Sequence, residues 1–472
     1  MTGITRRLAE FAAGIDFASL DPEVVERTRM LLLDQVGISI RGRNDAGLSA
    51  SMAAALRHLG LGSGDASVIG DGAAYSPPAA ALFNGNLGHS LDFDDTHASG
   101  SIHPSAPIVP AALAAAEMVG ANGRTVVAAV VAGYEVQIRL SLALGPSDHY
   151  RQGFHPTPTC GVFGAAAAAG RVLGLDASQM EDAFGLCGSL AAGSMQFLVD
   201  GAWNKPFHTG YAAMNGLVAA CMAREGFRGA REAVEGRAGF LHAYAPNAEP
   251  DLAAADLGER WETLRIALKP YPSCRYSHAP VDALLALREE HDIDWRDVES
   301  VEIGVSRTGW DIIGDPEEEK QRPTSYVDGQ FSMPFCAAVA LRDGTLTWDS
   351  YATHVGNPDT LDLCRRIRTV VDDRAEADFP TWMAGGARVT TALGTYERYV
   401  QAPKGEPENF LTRAELKAKF DGLASPYMGA NRRDALAEAL LAIDEADDVA
   451  AILRMTRPVE PAEAAAAGAG DD

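Results

Sequence analysis

No two cysteines in this 472-residue chain are spaced as CxxC. The six present, Cys160, Cys187, Cys221, Cys274, Cys336 and Cys364, are dispersed along the chain. That spacing excludes a zinc or iron–sulfur framework and suits reduced thiols. There is no uninterrupted apolar run of 18 or more residues, and the start MTGITRRLAEF lacks a signal-peptide core, so a soluble, cytoplasmic protein is expected. A Gly-rich phosphate loop, a GxSxG elbow, an HExxH pair and a GxGxxG after a strand are also missing. Chemistry based on NAD, ATP or zinc is therefore not expected, and the cofactor expectation is none. Positive charge is scarce too: 40 Lys and Arg stand against 64 Asp and Glu, giving a net charge of −24 and a pI near 4.8. Such a surface repels nucleic acid and anionic membranes. It would also repel an anionic substrate at long range, so any anion site must be a local basic pocket.

What is present is ordinary globular composition, 47% hydrophobic and 22% charged, in a length that suits two or three domains or one large domain carrying a smaller one. Up to about residue 265 the pattern is helical. Asp21-Pro22-Glu23 is a helix start, and Ala-rich segments follow at roughly 77–90, 107–119, 124–144, 160–173, 177–192 and 209–225. Gly174, Gly226 and Gly229 are plausible stops. After about Lys269 the texture changes. A helix near 279–290 precedes an alternating strand at Val298–Val305, a helix is expected at 329–342, and a strand or hairpin runs from Ala387 to Tyr399. A loop leading into a helix at 406–428 and a helical stretch at 433–454 close the chain. The expectation is a mainly α protein. A large all-helical domain spans 1–268 and resumes at 406–457, with a smaller α+β domain inserted at 269–405. The acidic, Ala-rich tail 458–472 reads as disordered.

Four polar islands interrupt the helices. Asp92-Phe93-Asp94-Asp95-Thr96-His97 is followed by His103-Pro104-Ser105. Unpaired buried charges cost several kcal/mol each, so this segment must be solvated or serve a pocket. Asp92 and Asp95 also have the spacing of half an acidic magnesium motif, but no second acidic motif or basic clamp accompanies them. The second island, Tyr150-Arg151-Gln152-Gly153-Phe154-His155-Pro156-Thr157, opens a Gly/Ala helix whose N-terminus could hold an anion. The third is Trp203 to Gly210, with Lys205 and His208; the fourth is Lys269 to His278, with Cys274 and Arg275. Each could be a surface turn, but together they supply the cations a carboxylate pocket needs. The residue types suit proton abstraction next to a carboxylate. His or a tuned Asp serves as base, Lys or Arg stabilises the aci-carboxylate, and a second His could act as acid.

Together the islands resemble the MmgE/PrpD family, which includes 2-methylcitrate dehydratase, cis-aconitate decarboxylase and iminodisuccinate epimerase. The resemblance rests on NGNLGHSLDFDDTH with HPS, GFHPTPTCGVFGAAAAAGRVLGL, KPFHTGYAAMNGLVAA, KPYPSCRYSHAPVDALLAL and QFSMPFCAAVALRDG, in that order from about residue 5 to 455. It implies a helical domain with a lid-like α+β domain, a homodimer, and a cofactor- and metal-free pocket for a small di- or tricarboxylate. By the same resemblance the pocket positions fall on Asp92, Thr96, His103, His155, Lys205 and Lys269. His103 and His155 would transfer protons in an order left open, Asp92 would orient them or act as base, and Lys205 and Lys269 would clamp carboxylates. Thr96, Tyr150, Arg151, His208, Cys274, Arg275 and Phe335 are candidate substrate contacts. Two departures stand out. Phe335 occupies the place of a Tyr in the dehydratase and decarboxylase branches, and Cys274 lies near a His of the decarboxylase branch. Phe lacks the hydroxyl, which counts against itaconate formation and weakens the methylcitrate assignment. The leading expectation is a dehydratase-type lyase, the next an isomerase or epimerase, then a decarboxylase, and last a non-catalytic carboxylate-binding protein.

Overall fold

A computed structural model describes residues 3–199 and 201–458, so the acidic tail lies outside the described residues apart from Pro458. The chain is mainly α and forms two compact units, Met1–Ile266 with Leu416–Asp472, and Ala267–Glu415.

The first unit is helical. Its main helices before residue 266 are α1 (Pro22–Asp45), α2 (Pro77–His89), α3 (Ser105–Val119), α4 (Gly123–Leu144), α5 (Pro156–Leu173), α6 (Ala177–Leu190) and α7 (Asn204–Arg224). The start at Pro22 is as the sequence suggests, although the Asp21 carboxylate accepts from Trp261 Nε1 at 2.8 Å instead of capping the helix. α5 and α7 begin four and five residues earlier than the Ala-rich pattern predicts. Proline is tolerated in a first turn because those N–H groups have no helical partner, so Pro156, Pro158 and Pro206 extend the helices backward. His155 thereby becomes the N-cap of α5, and Lys205 and His208 fall on the first turn of α7. Gly174 ends α5 in the left-handed conformation.

Small residues set the crossings. A Cβ on Gly210 of α7 would stand 2.1 Å from the Leu82 carbonyl of α2, and one on Gly85 would stand 2.7 Å from the Gly210 Cα. α2 and α7 are therefore in backbone contact, which brings the end of α2 to the start of α7. Among the described residues one helix, α4, is long and apolar enough to cross a membrane, but 94% of its apolar window is buried inside the protein.

The second unit carries α8 (His278–Glu290), β1 (Val298–Val305), α9 (Met333–Asp343), β2 (Ile367–Val371), β3 (Gly385–Thr391) and β4 (Gly394–Val400). The sheet order is β2-β1-β3-β4. β1 pairs parallel with β2 (Val301 opposite Ile367) and antiparallel with β3 (Val301 opposite Val389). β2 was not foreseen. Its five residues are short, and only Ile367 and Thr369 are buried. The segment 329–342 divides, with α9 preceded by a separate turn of helix at Tyr326–Gln330.

After β4 the chain enters α10 (Arg413–Ala424) and α11 (Ala430–Leu441), and a short helix at Val449–Arg454 follows. The helical stretch expected over 433–454 thus consists of two helices. Asp448 caps the new start by accepting from Ala450 N–H at 2.9 Å.

Candidate functional site

The site begins where α2 ends. Asp92 has φ 51°, a left-handed conformation that Asp tolerates better than most residues, and its Oδ1 lies 2.7 Å from Lys205 Nζ. Asp94 and Asp95 turn inward and are buried at 0% and 1% exposure, the first facing histidines and the second a serine. Asp94 Oδ2 lies 2.6 Å from His89 Nδ1 and 3.5 Å from His103 Nδ1. The Asp95 carboxylate accepts from Ser105 Oγ–H at 2.6 Å and from Ser105 N–H at 3.1 Å. Ser105 Oγ in turn lies 2.6 Å from the Tyr134 hydroxyl. Burial above all, with the neighbouring Asp94 charge, lifts the Asp95 carboxyl well above the ordinary carboxylate range, against the pull of Ser105.

His103 is held on two sides. Its backbone N–H donates to Thr157 Oγ1 at 3.2 Å, and its Nδ1 faces the Asp95 carbonyl at 2.8 Å. A carbonyl only accepts, so the proton sits on Nδ1 and Nε2 is left as the basic nitrogen.

His155 is buried, with Nδ1 at 3.4 Å from His208 Nδ1. Its ring stacks on that of His89 at 6.2 Å between centroids, and the His89 and His103 rings meet edge to face at 4.6 Å. Four histidines from α2, the 91–104 loop, α5 and α7 thus form one cluster. Burial, reinforced by neighbouring cationic groups that include His89 and Lys205, pushes the His155 imidazole well below its usual range. Burial likewise takes His208 down to about 4. Both are neutral near pH 7. Lys205 is the opposite case. Burial works against its ammonium, but Asp92, Asp94 and the Tyr150 phenol outweigh it and raise the pKa above 10.5. Tyr150 donates its hydroxyl to the Ser101 carbonyl at 3.2 Å.

Asp92, His103, His155, Lys205, His208 and Tyr150 are therefore brought together, and Thr157 joins them through His103. Thr96 follows directly in a two-residue strand with His97. Arg151 is not part of the group: its side chain is 77% exposed and pairs with Asp148. The N-terminus of α5 is also a poorer anion site than its position suggests, because Pro156 and Pro158 have no N–H to offer. His97 is structural. Its Nδ1 accepts from Gly100 N–H at 3.0 Å, and Nε2 faces Glu262 at 3.3 Å.

The remaining candidates lie in the second unit. Lys269 is buried at 4% exposure. Arg275 is paired through Nε with Glu406 at 2.9 Å. Cys274 is buried, with its N–H donating to the Gln330 carbonyl at 2.8 Å. Phe335 is fully buried in the apolar core, stacked 5.8 Å from Tyr351. The Phe335 ring is surrounded by the unit's own side chains.

Two participants were missed at the level of sequence, His89 and Asp94. Both stand inside the quoted NGNLGHSLDFDDTH stretch, and the five-residue separation carried the signal, since it lets a helix end and the next turn face each other. Ligand atoms of His89, Asp94 and His103 fall within 4.8 Å of one another. The short His89–Asp94 contact and the bond from His103 to the Asp95 carbonyl engage the Nδ1 atoms of both rings and orient the imidazoles.

The sequence matches the model of the MmgE/PrpD N-terminal domain over residues 6–253 and that of the C-terminal domain over residues 271–444. The chain belongs to the MmgE/PrpD family. Relatives from the curated proteins include a cis-aconitate decarboxylase of Aspergillus terreus, 26% identical over 475 residues and covering 96% of each chain. The cis-aconitate decarboxylase-like protein oryM of Aspergillus oryzae (strain ATCC 42149 / RIB 40) is 27% identical over 480 residues, covering 96% of this chain and 97% of its own. The Homo sapiens cis-aconitate decarboxylase is 25% identical over 481 residues, covering 98% and 97%. Membership in the MmgE/PrpD family thus extends over nearly the whole chain.

Proposed function

We propose that this protein is a lyase that removes a proton next to a carboxylate of a small di- or tricarboxylic acid and then expels water, in the manner of a dehydratase. The observation that carries the reading is His103, whose Nδ1 is anchored on the Asp95 carbonyl at 2.8 Å. The anchor leaves Nε2 as the base, in a cluster that also contains a Lys205 ammonium held by Asp92. Proton abstraction places a second negative charge on the carboxylate, and a preformed ammonium stabilises that charge without reorganising. The proton taken up by His103 is available to the leaving hydroxyl, so that C–O cleavage releases water, and His155, kept neutral by burial, can donate an N–H hydrogen bond to the departing oxygen. Lys269 is proposed as a second carboxylate clamp. The reaction needs no redox group or metal, and we propose that the protein works without one, as a cytoplasmic homodimer.

A second reading, epimerisation, rests on burial keeping His155 neutral: it takes the proton from one face, and His103, carrying a proton on Nε2, returns one to the other. The relatives' names support a third, decarboxylation of a cis-aconitate-like acid. Against it stands the absence of a phenol at Phe335, and the stacked Tyr351 hydroxyl is already committed to the Pro272 carbonyl at 2.6 Å. One experiment separates the three. Citrate-, aconitate-, malate- and iminodisuccinate-like acids are incubated with the protein in deuterated water and followed by NMR. A new conjugated alkene with the carbon count retained supports dehydration, and loss of a carboxyl carbon as CO2 supports decarboxylation. Deuterium exchange without alkene supports epimerisation. If no acid of the panel exchanges or reacts, but some raise the melting temperature, the protein is a carboxylate-binding protein and the enzymatic reading is lost.

A further inference from the structure

A second lysine, which the chemistry above does not use, contacts the Asp92–Asp95 turn at Phe93. Lys419, on α10, places Nζ 2.6 Å from Asp34 Oδ1 of α1, and the two side chains are only 5% and 2% exposed. The same ammonium donates to the Phe93 carbonyl at 3.0 Å and sits 3.8 Å from the centroid of the Phe93 ring. Its position is fixed by packing, because a Cβ on Gly37 of α1 would meet the Phe420 ring at 2.8 Å, so α10 lies hard against α1 at the neighbouring residue. Phe93 stands between Asp92, which reaches Lys205, and Asp94, which reaches His89.

We propose that Lys419 is a positioning residue for this site: anchored by Asp34, it grips the Phe93 carbonyl and so sets Asp92 toward Lys205 and the Asp94–Asp95 segment toward His89 and His103. The inference rests on the site reading given under the proposed function. Three carboxyl groups, Asp34, Asp94 and Asp95, are buried in this region, and the Asp34 carboxyl is itself pushed up to about 6, by burial first, with Lys419 opposing and Asp94 adding to the rise. A buried ammonium in contact with Asp34 offsets part of that repulsion, and neutral replacement loosens the turn.

The test uses the full chain with K419M, similar in length but uncharged, and the charge-balanced double variant D34N/K419M. K419M is expected to lower kcat about tenfold or more while KM changes less than about threefold, the pattern of a lost transition-state arrangement. The double variant is expected to recover the melting temperature, because the Asp34 carboxylate stripped of its lysine is gone, but not kcat. NMR spectra of the imidazole side chains give a readout that needs no substrate: the His89 and His103 signals are expected to move in the double variant while the His242 signals stay. Should wild type turn over no carboxylate, the proposed function fails and the imidazole spectra alone judge Lys419. Unchanged His89 and His103 signals, or a double variant that regains kcat along with its stability, would overturn the inference.

Discussion

The Lys205 ammonium stands 2.7 Å from the Asp92 carboxylate, at a residue whose backbone is left-handed. Burial alone would push Lys205 toward neutrality, and Asp92 leads the groups that keep it charged. Lys205→Ala is expected to cut turnover about 100-fold or more, the usual scale for losing a charge stabiliser. Asp92→Asn leaves the ammonium without its first partner, so its pKa falls. The alkaline limb of the pH–rate profile should then move to lower pH, and an unmoved limb would separate Asp92 from Lys205 in function.

His155→Ala should lower turnover by a similar factor, about 100-fold, if it exchanges a proton with substrate. Near-normal kcat would remove it from the machinery.

Stability should respond to acid with a definite sign. His155 and His208 have folded pKa values depressed below 6.5. Their contribution is complete above about pH 6.5 and is lost as the pH falls toward the folded values, because the unfolded chain takes up the protons first. For His208, the depression to about 4 sets the lower end of that window. The melting temperature of wild type should therefore fall between pH 6.5 and 4, and more steeply than that of His208→Gln.

Gly210→Ala tests the crossing that builds the site. The added Cβ would stand 2.1 Å from the Leu82 carbonyl, so α2 and α7 must separate. A destabilisation of about 1–3 kcal/mol is expected, with lower turnover from the same displacement, measurable by thermal melts and initial rates.

Prolonged treatment with EDTA is expected to leave activity unchanged. Inhibition reversed by an added divalent cation would instead turn His89, Asp94 and His103 into a metal centre.

Much of this arrangement could be read along the chain, and what escaped did so for physical reasons. The Ala- and Gly-rich texture marked the close-packed helices, and the alternation in Val298–Val305 marked the central strand. Helix starts were misplaced where proline stands, because a residue that breaks a helix interior is acceptable in its first turn. The charged run Asp92–Asp95 suggested solvent or a pocket; two of its acids are buried instead, since Ser105 and His89 supply hydrogen bonds that no linear pattern reveals. Arg151 looked like an anion ligand, but local pairing with Asp148 keeps it at the surface. Lys419 escaped because its partners, Asp34 and Phe93, lie more than 300 positions away in the chain.

The first unit's dependence on Leu416–Asp472 has a consequence for synthesis. A growing chain that has emerged only through the second unit holds Asp34 without its lysine and the Phe93 carbonyl without its donor. The acidic turn can settle only once α10 has left the ribosome, so the half that carries the histidine cluster matures last although most of it is translated first.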